Sequence, residues 1–233
     1  MRTIALALSP AARQSLTREL ADRVAATPWL RPALELSAVA LTATLHLAWP
    51  STGLPRAVLV FPMVALWIGY IVRRYRQDPK AVAAWGLRRE GLLPTTLATG
   101  AVMAVGGTAM GLYGWWTGAS LPPWYAAVVL LSYPVFGLVQ QLIVQGLVTG
   151  NLSKLPGKLG HPAVATLLSA SLFGLVHWPE TELMIGTFFL GLAFAPIWMR
   201  WRNLFPLAVA HGWLGMAIFY IVLQRDPLMT YFG

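Results

Sequence analysis

The 233-residue chain holds 17 Lys and Arg and 8 Asp and Glu, so 11% of its residues are charged, against roughly 25% in an ordinary soluble domain. Hydrophobic residues make up 57% of the chain and its mean hydropathy is +0.62, which excludes a water-soluble globule. The absence of Cys excludes disulfides, thiolate catalysis, Cys-ligated zinc and iron–sulfur clusters.

The N-terminal segment, residues 1–32, predicts a short amphipathic helix on the cytoplasmic face of a membrane. Ser9 followed by Pro10 is a helix start signal, and Leu16, Leu20 and Val24 then recur every four residues among arginines. A helix with one apolar and one basic face binds at the surface of a lipid bilayer. A frayed polar tail is the alternative.

Apolar runs that approach the length of a membrane span follow between residues 33 and 223. A helix of roughly 20 residues crosses about 30 Å of hydrocarbon. The runs cover approximately 33–49, 57–72, 92–116, 124–148, 162–178, 183–199 and 204–223. The sequence therefore predicts an all-α, polytopic integral membrane bundle of about seven transmembrane helices, followed by a short tail over 224–233.

Basic residues predict the orientation of these spans. With a cytoplasmic N-terminus, 15 of the 17 Lys and Arg residues lie in inner segments, and Arg56 and Arg225 alone lie in outer ones. Membrane proteins carry such an excess of Lys and Arg on the cytoplasmic side. The net charge of +9 is spread over several loops without a nucleic-acid-binding motif, so no nucleic-acid partner is expected.

Polar side chains within the spans are the candidate functional residues, because each needs a partner or a wet cavity. Gln140, Gln141 and Gln145 lie in the fourth span, His177 ends the fifth in the run Phe-Gly-Leu-Val-His, and His211 lies in the seventh. Gln141 and Gln145 are four residues apart and share a helix face, with Gln140 one step round. Taken singly, each could equally be an interhelical hydrogen-bonding or packing residue.

Together these residues resemble the CPBP family of intramembrane proteases, also called the Abi or CAAX-protease-and-bacteriocin-processing family. Its members carry E-E-x-x-x-R-G on one helix, F-x-x-x-H on the next, and H-x-x-x-N or H-x-x-x-D on a third. The resemblance runs from Pro134 to Phe219 and includes the spacing between the motifs, within a core at about 124–223. It implies an intramembrane metalloendopeptidase of the CAAX type, and the family's distribution favours a prokaryotic cytoplasmic (inner) membrane.

The family's motif positions can be carried over to this sequence one by one. Its two glutamates fall on Gln140 and Gln141, and its arginine falls on Gln145. Its two histidines fall on His177 and His211, and its terminal Asn falls on Gly215. Only the histidines are kept. A carboxamide has no basic site at any relevant pH, so Gln cannot act as a general base. All three charges of the first motif are lost together, which avoids stranding a cation in the membrane. This favours a lineage that neutralised its site over a laboratory Glu-to-Gln double mutant.

The resemblance also implies that a metal is held by the glutamates and histidines, and here such a site would be degenerate. A hydrolytic zinc ion usually has three protein ligands plus a water, and two histidines alone should bind it poorly. Glu180 and Glu182 could substitute if their loop turns inward, although two solvated loop charges are the simpler interpretation. By helical rise, His177 lies about 22 Å from the inner end of its span, whereas Gln141 and His211 lie about 10 Å from theirs.

Three functions stay open at this point. The first and favoured one is a pseudoprotease that binds or scaffolds a transmembrane or lipidated protein or peptide, without a cofactor. The second is an active, divergent metalloendopeptidase in which His177, His211 and a third ligand, Glu180, Glu182 or the Gln141 amide, hold zinc. The third is a membrane subunit of a transport or assembly complex in which the amides line a polar seam. The sequence names neither a partner nor an oligomeric state.

Overall fold

A computed structural model describes residues 29–55, 57–120 and 122–227, together with residues 9, 11, 12, 14, 15 and 19 of the preceding segment. Within these ranges the chain is helical and forms no strand. The amphipathic helix predicted over 1–32 falls almost wholly outside the described residues, as do residues 228–233 of the predicted tail.

Helices occupy the places of all seven predicted spans. The seven are α1 (Leu30–Ala48), α2 (Ala57–Gln77), α4 (Leu92–Thr117), α5 (Ala126–Leu152), α6 (Pro162–Leu175), α7 (Thr181–Trp201) and α8 (Phe205–Val222), and the short α3 (Pro79–Trp85) lies between α2 and α4. Wider π-helical turns replace the regular helix over Leu142–Thr149 of α5 and Ile218–Val222 of α8. The predicted all-α polytopic membrane bundle is confirmed.

Five of these helices, α2, α4, α5, α7 and α8, are long and apolar enough to cross a membrane. The other two predicted spans differ for separate reasons. Helix α6 ends at Leu175, before His177, and its 14 residues reach only about 21 Å. Helix α1 has 19 residues, but Arg31, Glu35 and His46 lower its hydropathy.

Helices α5 and α8 approach each other so closely that backbone touches backbone. A Cβ atom at Gly137 of α5 would lie 2.4 Å from the carbonyl oxygen of Ala208, and one at Gly212 of α8 would lie 2.8 Å from the backbone nitrogen of Pro134. Small residues at a helix interface permit this approach, which membrane proteins use widely. The contact sets the rotation of both helices and hence the direction in which their polar side chains point.

The core between the helices is apolar and tightly packed. Its fully buried large side chains come from four helices and the turn before α8: Leu142, Leu147, Phe173, Phe194, Trp198, Leu204 and Leu207. Helices α6 and α7 form a second close pair, in which a Cβ at Gly174 would lie 2.9 Å from the carbonyl oxygen of Met184.

One end of the bundle is held by polar contacts among its loops. The Tyr125 hydroxyl donates to Asp226 at 2.6 Å, and this hydrogen bond raises the pKa of Tyr125. Arg225 pairs with Glu180 at 2.9 Å. Tryptophan concentrates at membrane–water interfaces, and the exposed tryptophans at this end are Trp115, Trp116, Trp124 and Trp178.

The opposite end carries most of the basic residues that the structure describes. Here the α3–α4 connection packs on the turn between α7 and α8. The Trp198 indole N–H donates to the carbonyl oxygen of Trp85 at 2.8 Å, and the Leu204 N–H donates to that of Gly86 at 2.9 Å. A Cβ at Gly91, where φ is +72°, would lie 2.4 Å from the carbonyl oxygen of Trp201, so this connection has no room for a side chain there.

The α5–α8 contact predicts opposite outcomes for two glycines on the same helix. Gly212→Ala should lower the free energy of unfolding by about 1–3 kcal/mol, because its methyl group would overlap the backbone of Pro134. Gly215→Ala meets nothing within 4 Å, so it should be neutral or stabilise by up to about 1 kcal/mol through helix propensity. Unfolding in detergent measures both. Equal effects of the two substitutions would contradict the close contact.

Candidate functional site

The candidate site lies in a cavity of about 960 Å³ between α4, α5, α7 and α8, which also reaches the turn after α6. Of the residues predicted from the sequence, those lining it are Gln140, His177, Glu180, Glu182, His211 and Gly215. The three polar motifs therefore converge on one space. Gln141 and Gln145 do not line it, and both are fully buried elsewhere.

The Gln140–His211 pair joins the first and third motifs. His211 Nε2 lies 2.7 Å from Gln140 Oε1. Because a carboxamide oxygen only accepts, Nε2 carries the proton and donates it, which leaves the lone pair on Nδ1. His211 Nδ1 is buried and has no hydrogen-bond partner among the residues that the structure describes. A neutral amide thus occupies the place where the family motif puts a carboxylate.

His177 reaches the same cavity because α6 is short and the chain turns immediately after it. Its Nδ1 lies 2.8 Å from the carbonyl oxygen of Phe173, so Nδ1 donates and Nε2 keeps the lone pair. Thr187 of α7 lies 3.3 Å from the same nitrogen, and its hydroxyl donates to the carbonyl oxygen of Leu183 at 2.6 Å. Despite the difference in depth expected from the sequence, His177 lines the same cavity as Gln140 and His211.

Phe173 contacts both histidines. Its ring centroid lies 5.5 Å from that of His177 and 5.3 Å from that of His211. Phe173 is itself buried, which places an apolar ring against the two imidazoles. In the F-x-x-x-H motif, the Phe therefore orients the histidines as well as filling the core.

Gln141 and Gln145 form a separate polar group within the bundle. Thr149 Oγ1 lies 2.9 Å from Gln145 Oε1 and 2.6 Å from Ser169 Oγ, so this group links α5 to α6. Both amide atoms of Gln141 and the Gln145 Nε2 lack a partner among the described residues. Since Gln141 does not line the cavity, its amide is not a shared ligand with the two histidines.

Gly215 leaves the fourth motif position open. A Cβ there would meet no atom within 4 Å, and the residue lies one turn after His211 on the cavity side of α8. A side chain such as the family's Asn would fit, and its absence enlarges the cavity beside the histidine.

The acidic side chains stand at the mouth of the cavity. Glu180 is paired with the exposed Arg225, and Glu182 is exposed. Over the described ranges, no three His, Cys, Asp or Glu side chains group as a metal site. The residues present therefore do not fit a hydrolytic zinc ion, because no third His, Cys, Asp or Glu ligand joins the two histidines within the described chain.

No role was predicted from the sequence for one buried carboxylate, that of Glu35. Glu35 of α1 accepts from Asn151 Nδ2 at 2.7 Å and from the Tyr70 hydroxyl at 2.5 Å, and it is only 8% exposed. It ties α1 and α2 to the end of α5. Its position in the first predicted span was the available signal, because an ionisable residue in a span needs a partner.

The unsatisfied Gln141 predicts a stabilising substitution. Gln141→Met keeps the side-chain volume and removes two unpaired polar atoms, so it should raise the free energy of unfolding by about 1–2 kcal/mol. Gln145→Met is the matched control, because it also removes the hydrogen bond from Thr149 and should gain less. Denaturation in detergent gives both values. Loss of stability in Gln141→Met would mean that this amide is solvated inside the bundle.

Comparisons with known proteins agree with the geometry. The family model described as Type II CAAX prenyl endopeptidase Rce1-like matches residues 122–217, which run from the start of α5 to the middle of α8. No curated protein and no solved structure matches the chain. The matched segment contains both histidines and all three glutamines of the site. Over residues 122–217, this chain is therefore similar to the Rce1-like type II CAAX prenyl endopeptidase family.

Proposed function

We propose that this CAAX-protease-like membrane protein is proteolytically silent and that its cavity binds an apolar segment of another protein, such as a lipidated peptide or a transmembrane segment. The observation that carries the first half is the 2.7 Å contact between Gln140 and His211. A carboxylate at this position could accept a proton from water, whereas the amide only orients the imidazole.

The remaining polar groups support the same conclusion. The basic nitrogens, Nδ1 of His211 and Nε2 of His177, belong to two imidazoles for which the described residues show no ion pair with a carboxylate. Glu180 is held by Arg225 at the mouth of the cavity. A water in the cavity would therefore meet two imidazoles and the Gln140 amide, without the carboxylate that the family motif places beside the histidine.

The shape and lining of the cavity support the second half. Small and apolar residues of α4 line one wall: Ala101, Val105, Gly106 and Ala109. Its volume of about 960 Å³ lies near the upper end of the range for small-molecule sites. An apolar wall with polar groups grouped at His177 and Glu180 suits an amphiphilic ligand with a long hydrocarbon part. The family's distribution favours the cytoplasmic membrane of a prokaryote as its location.

The silent-protease proposal predicts no metal and no cleavage in the unaltered protein. Purified protein should carry no stoichiometric zinc and should leave a farnesylated CAAX peptide intact, as judged by metal analysis and by mass spectrometry of the peptide. Restoring Glu at positions 140 and 141 with Arg at 145 should recover binding of about one zinc per chain.

The matched control is the Gln141→Glu, Gln145→Arg double variant. It restores a possible ion pair in the bundle but leaves the amide against His211, so it should bind no zinc. Cleavage or one zinc per chain in the unaltered protein, lost in His177→Ala or His211→Ala, would establish an active enzyme instead.

The binding proposal predicts that filling the cavity removes ligand. Gly215→Leu places a side chain into open space beside His211 and should weaken binding of a fluorescent farnesylated peptide about tenfold or more. Gly107→Leu on α4 also meets no atom within 4 Å but does not line the cavity, so its affinity should match that of the parent. Anisotropy in detergent measures both. Equal affinities for all three proteins would exclude this cavity as the binding site.

A further inference from the structure

Arg202 ends α7 in a strained backbone conformation at the basic end of the bundle. Its φ of 50° and ψ of 49° lie in the left-handed region, which costs a residue with a Cβ and persists only when the surroundings hold it. Its guanidinium lies over the fully buried ring of Trp198, 4.1 Å from the ring centroid. Cation–π contact and burial of the side-chain stem therefore hold Arg202 in place.

The guanidinium of Arg88 is fixed against the backbone of Arg202. Arg88 Nε donates to the carbonyl oxygen of Arg202 at 3.0 Å, and its Nη2 donates to that of Trp201 at 3.1 Å. These are carbonyls at the C-terminal end of α7, where a cation is favoured. Asn203 in turn donates to the carbonyl oxygens of Arg88 and Glu90, at 2.7 Å and 3.0 Å, and locks the loop that carries Arg88.

Neither cation has an acidic partner among the residues that the structure describes. The ion pairs within the described residues are Arg74 with Asp78 and Arg225 with Glu180, and neither includes Arg88 or Arg202. The Arg202 guanidinium makes no hydrogen bond that the structure records. Burial, and to a lesser extent the nearby Arg88 charge, lower the pKa of Arg202 from its usual value.

We propose that Arg202 and Arg88 together bind the phosphate group of an anionic phospholipid in the inner leaflet. Guanidinium groups bind phosphate oxygens in a bidentate manner, and basic pockets between transmembrane helices hold lipid headgroups. The two arginines lie where α7 ends and α8 begins, and the N-terminus of α8 adds positive potential. A bound phosphate supplies the missing counter-charge. The site is separate from the cavity and independent of the proposed function.

The test measures lipid binding by native mass spectrometry of the full-length protein released from detergent. The unaltered protein should retain about one phosphatidylglycerol more tightly than phosphatidylcholine, and Arg202→Gln should weaken phosphatidylglycerol binding about five- to tenfold. Arg200→Gln, two residues earlier in the same turn, removes an equal charge that stands 6.0 Å from the Trp201 ring and should leave binding within about twofold.

Two further measurements distinguish specific lipid binding at this site from non-specific attraction of anionic lipids to a basic surface. Arg202→Lys keeps the net charge but loses the planar fork, so it should weaken binding while leaving non-specific attraction unchanged. Inorganic phosphate at millimolar concentration should not displace the lipid. The proposal is overturned if Arg202→Gln and Arg200→Gln behave alike, if phosphatidylcholine binds equally well, or if free phosphate competes fully and so identifies a soluble ligand.

Discussion

The backbone contact between α5 and α8 is the constraint on which the rest of the site depends. Gly137 lies against Ala208, and Gly212 lies against Pro134, with no space for a Cβ at either glycine. Gln140 follows Gly137 by nearly one helical turn and His211 immediately precedes Gly212, so the contact that fixes the helices also sets the 2.7 Å distance between the two side chains. A wider separation of α5 and α8 would open this pair.

The lipid around the spans offers no hydrogen-bonding partners, and this explains how the other polar groups are arranged. A polar side chain within a span must find its partner inside the protein. Glu35 does so with Tyr70 and Asn151, and Thr149 does so with Gln145 and Ser169. Gln141 has no such partner in the described chain. A protein can tolerate this cost for a neutral amide far more easily than for an unpaired charge, which fits the joint loss of the acidic and basic residues from the first motif.

The cavity and the basic end of the bundle differ in the chemistry of their side chains. The cavity is mainly apolar and carries its polar groups near the α6–α7 turn, where Glu180 and Arg225 pair. The opposite end is held together by arginines that bind helix carbonyls and cover a tryptophan ring. The Glu180–Arg225 pair and the arginines that bind carbonyls both lie at helix ends. Backbone groups without an intrahelical partner occur there, and polar side chains can bind them.

The sequence by itself determined the membrane class, the helical architecture, the order of the motifs and the loss of every charge from the first one. Composition and helical periodicity are local properties of the sequence, so they can be recognised without knowing how the helices pack. The fifth predicted span, at about 162–178, agrees with α6 to within three residues, since the helix ends at Leu175.

Only the tertiary structure decided which of the adjacent glutamines meets a histidine. Gln140 and Gln141 differ by about 100° in direction around one helix, and the α5–α8 contact selects Gln140. The structure also decided that Glu180 pairs with Arg225 and that Glu35 reaches Asn151, since both contacts join segments far apart in the chain. Such contacts depend on the rotation and ends of packed helices, which no local pattern encodes.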